Sequence, residues 1–128
     1  MILVTGGTGL LGSHLLNSLV REHAEVVALK RPSSDLEEVK RVFGYYAGGE
    51  EELAELFGRI RWVDADLLNQ ADMEEALQGI DRVYHCAAMV SFQPRDRQKM
   101  VRFNSDSTAT MVNACLAQGV KKLLHVSS

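Results

Sequence analysis

The sequence predicts an α/β domain in which helices cover both faces of a doubly wound, five-stranded parallel sheet. Short apolar runs alternate with segments of helical periodicity along all 128 residues, a pattern typical of repeated strand–helix–strand units. A glycine-rich turn between the first apolar run and the first helical segment supports the same fold class. The length and the 46% hydrophobic content suit one domain, residues 1–128, with an ordinary core.

Five apolar runs are predicted as strands because each is short and nearly continuous, as in parallel strands that are buried on both faces. They are residues 1–4, 25–29, 60–63, 82–86 and 122–126. Apolar residues at helical spacing predict helices over residues 10–22, 35–43, 50–56, 70–78 and about 95–118. Ser34 and Glu37 predict a capping box at the start of the second helix, and Gly79 and Gly119 predict helix C-caps.

The glycine turn at residues 5–12 reads Thr-Gly-Gly-Thr-Gly-Leu-Leu-Gly and is the most informative stretch. A strand, a glycine turn and a helix in this order bind a diphosphate, because backbone N–H groups and the positive end of the helix dipole face it. We expect Gly6 to allow the tight turn, Gly9 to let the diphosphate approach, and Gly12 to let the helix pack against the strand. The residues predicted to hold the diphosphate region are Gly6, Thr8, Gly9, Leu10, Leu11 and Gly12. The alternative is a loop that needs glycine only for its backbone angles.

The end of the second strand predicts which dinucleotide binds. In dinucleotide-binding α/β folds an acid there binds the ribose hydroxyls, whereas an arginine accommodates a 2′-phosphate. This tip carries no acid; Lys30 and Arg31 are followed closely by Ser33. A guanidinium forms charge-assisted hydrogen bonds to phosphate, so Arg31 and Ser33 are predicted to bind the 2′-phosphate, and NADP is predicted over NAD. The alternative is a solvated basic turn.

The ends of the third and fourth strands supply further candidates. Asp66 and Leu67 follow the third strand, where the carboxylate would accept a hydrogen bond from the adenine amino group and the leucine would contact the ring. The alternative is a plain strand-to-helix turn, in which aspartate is common. After the fourth strand, the small residues Ala87 and Ala88 are predicted to line the path to the nicotinamide.

Two histidines in predicted strands, His85 and His125, invite a catalytic interpretation. Neither has an evident partner carboxylate nearby in the sequence. We therefore interpret both as strand histidines packed under a helix.

Composition and charge exclude several functional classes. The net charge of −3, with acids and bases mixed along the chain, offers no basic stripe for a nucleic acid. No apolar run approaches the roughly 20 residues that span a bilayer, and no basic segment of a secretory signal precedes the first apolar run. Cys86 and Cys115 lie in apolar segments, which predicts two buried, reduced thiols in a cytoplasmic protein rather than a disulfide or a metal site.

Together these motifs resemble the extended short-chain dehydrogenase/reductase superfamily, in its NAD(P)-dependent epimerase/dehydratase group. Residues 5–12 match the T-G-x-x-G-x-x-G signature, residues 85–88 are similar to H-x-A-A, and residues 104–108 are similar to N-V-x-G-T. The turn at residues 30–32 is most similar to the dihydroflavonol-reductase and hydroxysteroid-dehydrogenase branch, whose members commonly use NADP. The resemblance implies a Rossmann-type fold, hydride transfer between a nicotinamide and a carbonyl or alcohol carbon, and Ser128 as the catalytic serine.

The resemblance spans essentially the whole chain, but the Tyr-x-x-x-Lys motif of the family is missing. Residues Gly49, Glu50 and Ala88 follow the three tyrosines at the position where lysine is required. In the family that tyrosine is the general acid/base. We therefore expect the N-terminal portion of a longer enzyme, inactive alone, with the catalytic and substrate region absent and a small-molecule substrate bound by the full-length protein.

Two alternatives from other classes stay open at this point. One is a regulatory module that senses NAD(P) and performs no chemistry, and the other is a fragment that no longer binds nucleotide. A sheet that stops after its fifth strand exposes an edge, and such edges invite pairing with another chain. The hypothesis of a homo-oligomer follows from that edge.

Overall fold

The computed structural model describes residues 1–86 and 94–125 of the chain. Within these ranges five parallel strands form one sheet in the order β3-β2-β1-β4-β5. The strands are β1 (Ile2–Thr5), β2 (Val26–Lys30), β3 (Ile60–Asp64), β4 (Arg82–His85) and β5 (Lys122–His125). The strand order reverses direction between β1 and β4, so ligands of this fold bind at the carboxyl ends of the strands beside that point. The predicted Rossmann-type fold is confirmed.

Helices connect successive strands, as the periodicity predicts. They are α1 (Leu10–Glu22), α2 (Glu37–Tyr46), α3 (Glu50–Phe57), α4 (Gln70–Ala76) and α5 (Arg97–Gln118), with a short 3₁₀ turn at Pro94–Asp96 before α5. The bounds of α1 agree with the prediction, and the other elements differ from it by one to three residues at their ends. Among the described helices, none has the length and apolar character that crossing a membrane requires.

The sheet separates two apolar cores. On one face, Val4 of β1 packs with α1, α2 and α3 in a cluster that includes Phe43. On the other face, Leu3 packs with Met73 of α4 and Met111 of α5. Each of these five side chains is fully buried, and such burial is worth about 1.5–3 kcal/mol per side chain. Successive residues of β1 therefore pack into opposite layers, and this packing holds the turn after β1 in place.

Two predictions about helix ends are wrong: the capping box at the start of α2 and the C-cap of α4 at Gly79. The capping box does not form: Leu36 occupies the N-cap of α2, and Glu37 is its first residue. The Glu37 N–H donates to Asp35 Oδ1 (2.9 Å), while Ser34 Oγ accepts from the Arg31 N–H (3.1 Å). Short polar side chains of this kind bond to nearby backbone and compete with capping, so Ser34 closes the preceding turn instead.

The two glycines that were predicted as C-caps behave differently. Gly119 caps α5 in the left-handed conformation, with φ 68°, as predicted. Gly79 is also left-handed, with φ 77°. However, α4 ends at Ala76 with Leu77 as its C-cap, so Gly79 lies in the turn beyond the helix rather than at its cap.

Candidate functional site

The glycine turn after β1 is held by close backbone approaches. Gly6 adopts φ 70°, a left-handed conformation that side chains disfavour, and its carbonyl accepts a hydrogen bond from the Gly9 N–H at 3.0 Å. A Cβ atom at Gly12 would lie 1.9 Å from the same carbonyl oxygen. The predicted role of Gly6 in the turn is therefore confirmed. Gly12 lets α1 pack against the turn itself, whereas the sequence predicted packing against the strand.

Gly7 and Ser13 also shape this turn, although neither was predicted from the sequence to do so. A Cβ atom at Gly7 would lie 2.6 Å from Leu16 Cδ1 in α1, so this glycine lets the turn contact the helix. The buried Ser13 hydroxyl is hydrogen-bonded to the Gly9 carbonyl and lies 3.2 Å from the Gly7 carbonyl. In the sequence, the double glycine at residues 6 and 7 could have indicated the role of Gly7. A serine in the first turns of a helix gives no comparable indication of such a role.

The N-terminus of α1 has no capping side chain. Gly9 is the N-cap, no side chain caps the helix, and its first turn contains no acid. The first backbone hydrogen bond of the helix runs from Ser13 N to the Gly9 oxygen (2.9 Å), so the preceding N–H groups have no partner within the helix. The positive end of the α1 dipole is therefore available to an anion.

A cavity of about 800 Å³ lies at the carboxyl ends of the strands, beside this helix end. Its lining includes many of the predicted residues: Gly6, Thr8, Gly9, Arg31, Ser33, Asp66 and Leu67. Leu10, Leu11 and Gly12 are not part of the lining. Leu10 and Leu11 are 69% and 56% exposed, so the structure does not bury these two residues against the cavity. The volume lies in the range of known small-molecule sites.

At the tip of β2, the structure separates the two neighbouring basic residues. Lys30 pairs with Asp64 of β3, its neighbour in the parallel register, at 2.5 Å. Arg31 is exposed and forms no ion pair with any described residue. Its backbone lies in a turn, because its carbonyl accepts from the Ser34 N–H at 3.0 Å. The Arg31 guanidinium carbon lies 6.0 Å from the centre of the Phe103 ring in α5. Of the two cations, Arg31 is the one that is left for a ligand.

At the end of β3, Asp66 is both a turn residue and part of the cavity wall. Its Oδ1 accepts from the Leu68 N–H (2.9 Å), and its N–H donates to Asp72 Oδ2 (3.1 Å). Asp66, Leu67 and Asp72 all line the cavity. The turn interpretation is therefore correct for both the side chain and the N–H of Asp66, and the residue also lies on the cavity wall.

His85 is the last residue of β4 and is almost completely buried. Its Nδ1 is 2.8 Å from Thr5 Oγ1, and its ring stacks on His125 at a centroid distance of 5.5 Å. Among the described residues its Nε2 has no hydrogen-bond partner. Burial, together with the charge of His125, lowers the pKa of His85 to about 4. The imidazole is thus neutral at physiological pH, which agrees with a packed strand histidine.

Two other sequence interpretations need correction. His125 is exposed on the edge strand β5, so it is not packed under a helix as expected. Of the two thiols, both free, Cys115 is buried as predicted, whereas Cys86 is only half-buried and lines the cavity. Burial raises the pKa of both thiols. Three predicted site residues, Ala87, Ala88 and Ser128, lie outside the described residues.

The geometry defines a dinucleotide-type domain of the doubly wound class, with an open helix N-terminus, a glycine turn and a cavity at the switch point of the sheet. Residues 2–128 match the NAD dependent epimerase/dehydratase family, and the chain belongs to it.

Known proteins and structures agree with this assignment. Sterol demethylase protein B of Methylococcus capsulatus is 30% identical over 98% of this chain and 34% of its own length. Dihydroflavonol 4-reductase of Gerbera hybrida is 29% identical over 99% of the chain and 33% of its length. The crystal structure of UDP-glucose-4-epimerase from Stenotrophomonas maltophila, with bound NAD, matches 99% of the chain at 27% identity and a TM-score of 0.78, over 36% of that protein. The chain therefore spans about a third of the length of these relatives.

Proposed function

We propose that this chain is the cofactor-binding portion of an NAD(P)-dependent oxidoreductase or epimerase and that it prefers NADP. One observation carries the proposal: a single cavity joins the N-terminus of α1, which has no side-chain cap, to the guanidinium of Arg31, which forms no ion pair with the described residues. These are two separate anion-binding features, and NADP carries two separate groups of phosphates. The solved epimerase with bound NAD supports the general class of cofactor.

The residues present fit such a cofactor. Gly9 carries no side chain at the helix end, and Gly12 could not carry one, so the diphosphate can approach the backbone of the turn. Asp66 and Leu67 border the part of the cavity beyond β3, where they would contact the adenine. Ala87 and Ala88, as proposed from the sequence, would line the path to the nicotinamide.

The preference for NADP rests on the charge at the tip of β2. A ribose with free hydroxyls favours an acid at this position, and Asp64 is the nearest one by register. Lys30 neutralises it through their ion pair. Arg31 and Ser33 remain on the cavity wall, where they would bind a 2′-phosphate with charge-assisted hydrogen bonds.

In the whole protein, the nicotinamide would accept or donate a hydride at a carbonyl or alcohol carbon of a small-molecule substrate. This chain would bind and orient the cofactor, and Ser128 would polarise the substrate oxygen. No tyrosine of the sequence precedes a lysine at the spacing that the family's acid/base requires. We therefore expect no turnover from the 128-residue chain alone. We also propose a cytoplasmic location, because free thiols suit a reducing compartment.

The test is calorimetric titration of the purified chain with NADP and with NAD, with thermal shift as a second measurement. We expect NADP to bind more tightly, and Arg31→Asp to weaken it roughly ten- to hundredfold, since hydrogen bonds to charged groups are worth about 1.5–3 kcal/mol. Arg41→Asp is the matched control: it makes the same change in charge on α2, away from the cavity lining. An unchanged preference for NADP in Arg31→Asp would contradict the assignment.

A further inference from the structure

We infer that Phe103 of α5 is a positioning residue for Arg31, and that it sets the preference for a 2′-phosphate by holding the guanidinium at the cavity. Both residues line the same cavity, although they belong to distant elements, the tip of β2 and the long helix α5. The Arg31 guanidinium carbon is 6.0 Å from the centre of the Phe103 ring, within the range of a cation–π contact. The inference deepens the proposed function and rests on it.

A contact with an aromatic ring and a contact with a carboxylate differ in how much hydrogen-bonding capacity they leave to Arg31. The five N–H donors of a guanidinium lie in its plane, while a ring attracts the cation through electrostatics and not through those donors. A carboxylate partner would occupy the donors and neutralise the charge, as Asp64 does to Lys30. Phe103 can therefore restrain Arg31 and leave its charge and its hydrogen-bonding capacity for a phosphate.

The restraint has an energetic reason. Arg31 is exposed, and a free arginine side chain loses rotamer entropy when it binds a ligand. Its backbone is already fixed by the turn with Ser34. Among the described contacts of the Arg31 side chain, the Phe103 ring is the one that orients the guanidinium. Pre-ordering of the binding group lowers the cost of binding, and only the cofactor with a 2′-phosphate benefits.

The experiment compares Phe103→Leu, which removes the ring, with Phe103→Tyr, which keeps it. The dissociation constants for NADP and NAD are measured on the purified chain by calorimetry. We expect Phe103→Leu to weaken NADP binding about two- to five-fold, the worth of one exposed cation–π contact, and to leave NAD binding unchanged. Phe103→Tyr retains the NADP affinity of the wild type. Val101→Ala, an exposed site on the same helix, is the control for general effects on α5.

A double-mutant cycle with Arg31→Met separates this inference from the proposed function. If the ring acts through Arg31, Phe103→Leu has no further effect on NADP binding in the Arg31→Met background. Equal losses for NADP and NAD, or a full effect of Phe103→Leu without Arg31, would overturn the inference, because the ring would then contact the shared part of the cofactor. No effect of Phe103→Leu in a chain whose preference depends on Arg31 would also overturn it. If Arg31→Met itself leaves the preference unchanged, the proposed function fails, and the inference fails with it.

Discussion

Two helix N-termini lie next to the same cavity, and they are built in opposite ways. At α4, Asn69 is the N-cap and its Oδ1 accepts from the Asp72 N–H at 3.0 Å. Asp72 also places a carboxylate in the first turn, and it accepts from the Asp66 N–H. At α1, the N-cap is Gly9, without a capping side chain and without an acid in the first turn.

The difference favours the α1 end over the α4 end as the site of an anionic ligand. At the α4 end, Asn69 bonds one of the free N–H groups and the Asp72 carboxylate lies in the first turn, which stabilises the helix and repels an anion. The α1 end has glycine as its N-cap, which costs only a few tenths of a kcal/mol relative to a capping side chain, and it offers donors and partial positive charge. We therefore expect a diphosphate at α1 and the adenosine beside the α4 end.

The largest effect is expected at Gly12. A Cβ atom in Gly12→Ala would lie 1.9 Å from the Gly6 carbonyl oxygen and 2.9 Å from Gly7 Cα. Because both are backbone atoms, the turn must move, and we expect a loss of about 3 kcal/mol or more in the free energy of unfolding together with loss of NADP binding. Denaturant unfolding and calorimetry measure the two quantities.

Gly44→Ala is the matched control for that substitution. Gly44 lies inside α2, with open space around the position of its missing Cβ. Alanine is the better helix former by about 0.5–1 kcal/mol, so this variant should be more stable than the wild type and bind NADP as before. A Gly12→Ala chain as stable as the wild type would show that the close approach in the turn can relax freely.

The second prediction concerns a substitution, Gly9→Asp, that makes the N-terminus of α1 resemble that of α4. Gly9 has extended backbone angles, φ −82° and ψ 172°, and a Cβ there would meet its nearest neighbour at 3.4 Å, so Gly9→Asp is compatible with the fold. The carboxylate caps the helix, and we expect unchanged or slightly higher thermal stability. NADP and NAD should both bind at least roughly tenfold more weakly, because the new charge repels the shared diphosphate.

Gly9→Asn separates charge from bulk at this position. It has nearly the same size and caps a helix equally well, but it is neutral. The Asp variant should bind both cofactors more weakly than the Asn variant, and the gap should narrow at high salt because screening reduces the repulsion. Wild-type affinity in the Asp variant would mean that the diphosphate does not sit at α1.

The smallest effect is expected at the α4 end. Asn69→Ala removes the cap on the Asp72 N–H, and we expect the free energy of unfolding to fall by about 1 kcal/mol. NADP affinity should stay the same, since this helix end is not expected to bind phosphate. Asn69→Ser, which keeps a capping oxygen, should restore most of the stability. A drop in NADP affinity as large as that of Gly9→Asp would erase the contrast between the two helix ends.

Much of this architecture can be predicted from local sequence. The bounds of α1 and the positions of all five strands follow from apolar runs and helical spacing, because a strand buried on both faces needs an uninterrupted apolar segment. The left-handed Gly6 follows from the glycine motif. The failed capping box shows the limit of such reasoning: a serine side chain can bond to more than one nearby backbone group, and Ser34 accepts from the Arg31 N–H instead of capping α2.

The sequence by itself determined the class of fold, the glycine turn and the basic tip of β2, since these depend on residues that are near one another in the chain. Only the tertiary structure decided which cation stays unpaired. The register of β2 and β3 places Lys30 beside Asp64 and leaves Arg31 to the cavity, opposite Phe103. Such pairings depend on strand register and on how helices cross the sheet, and neither property is encoded at any one position of the chain.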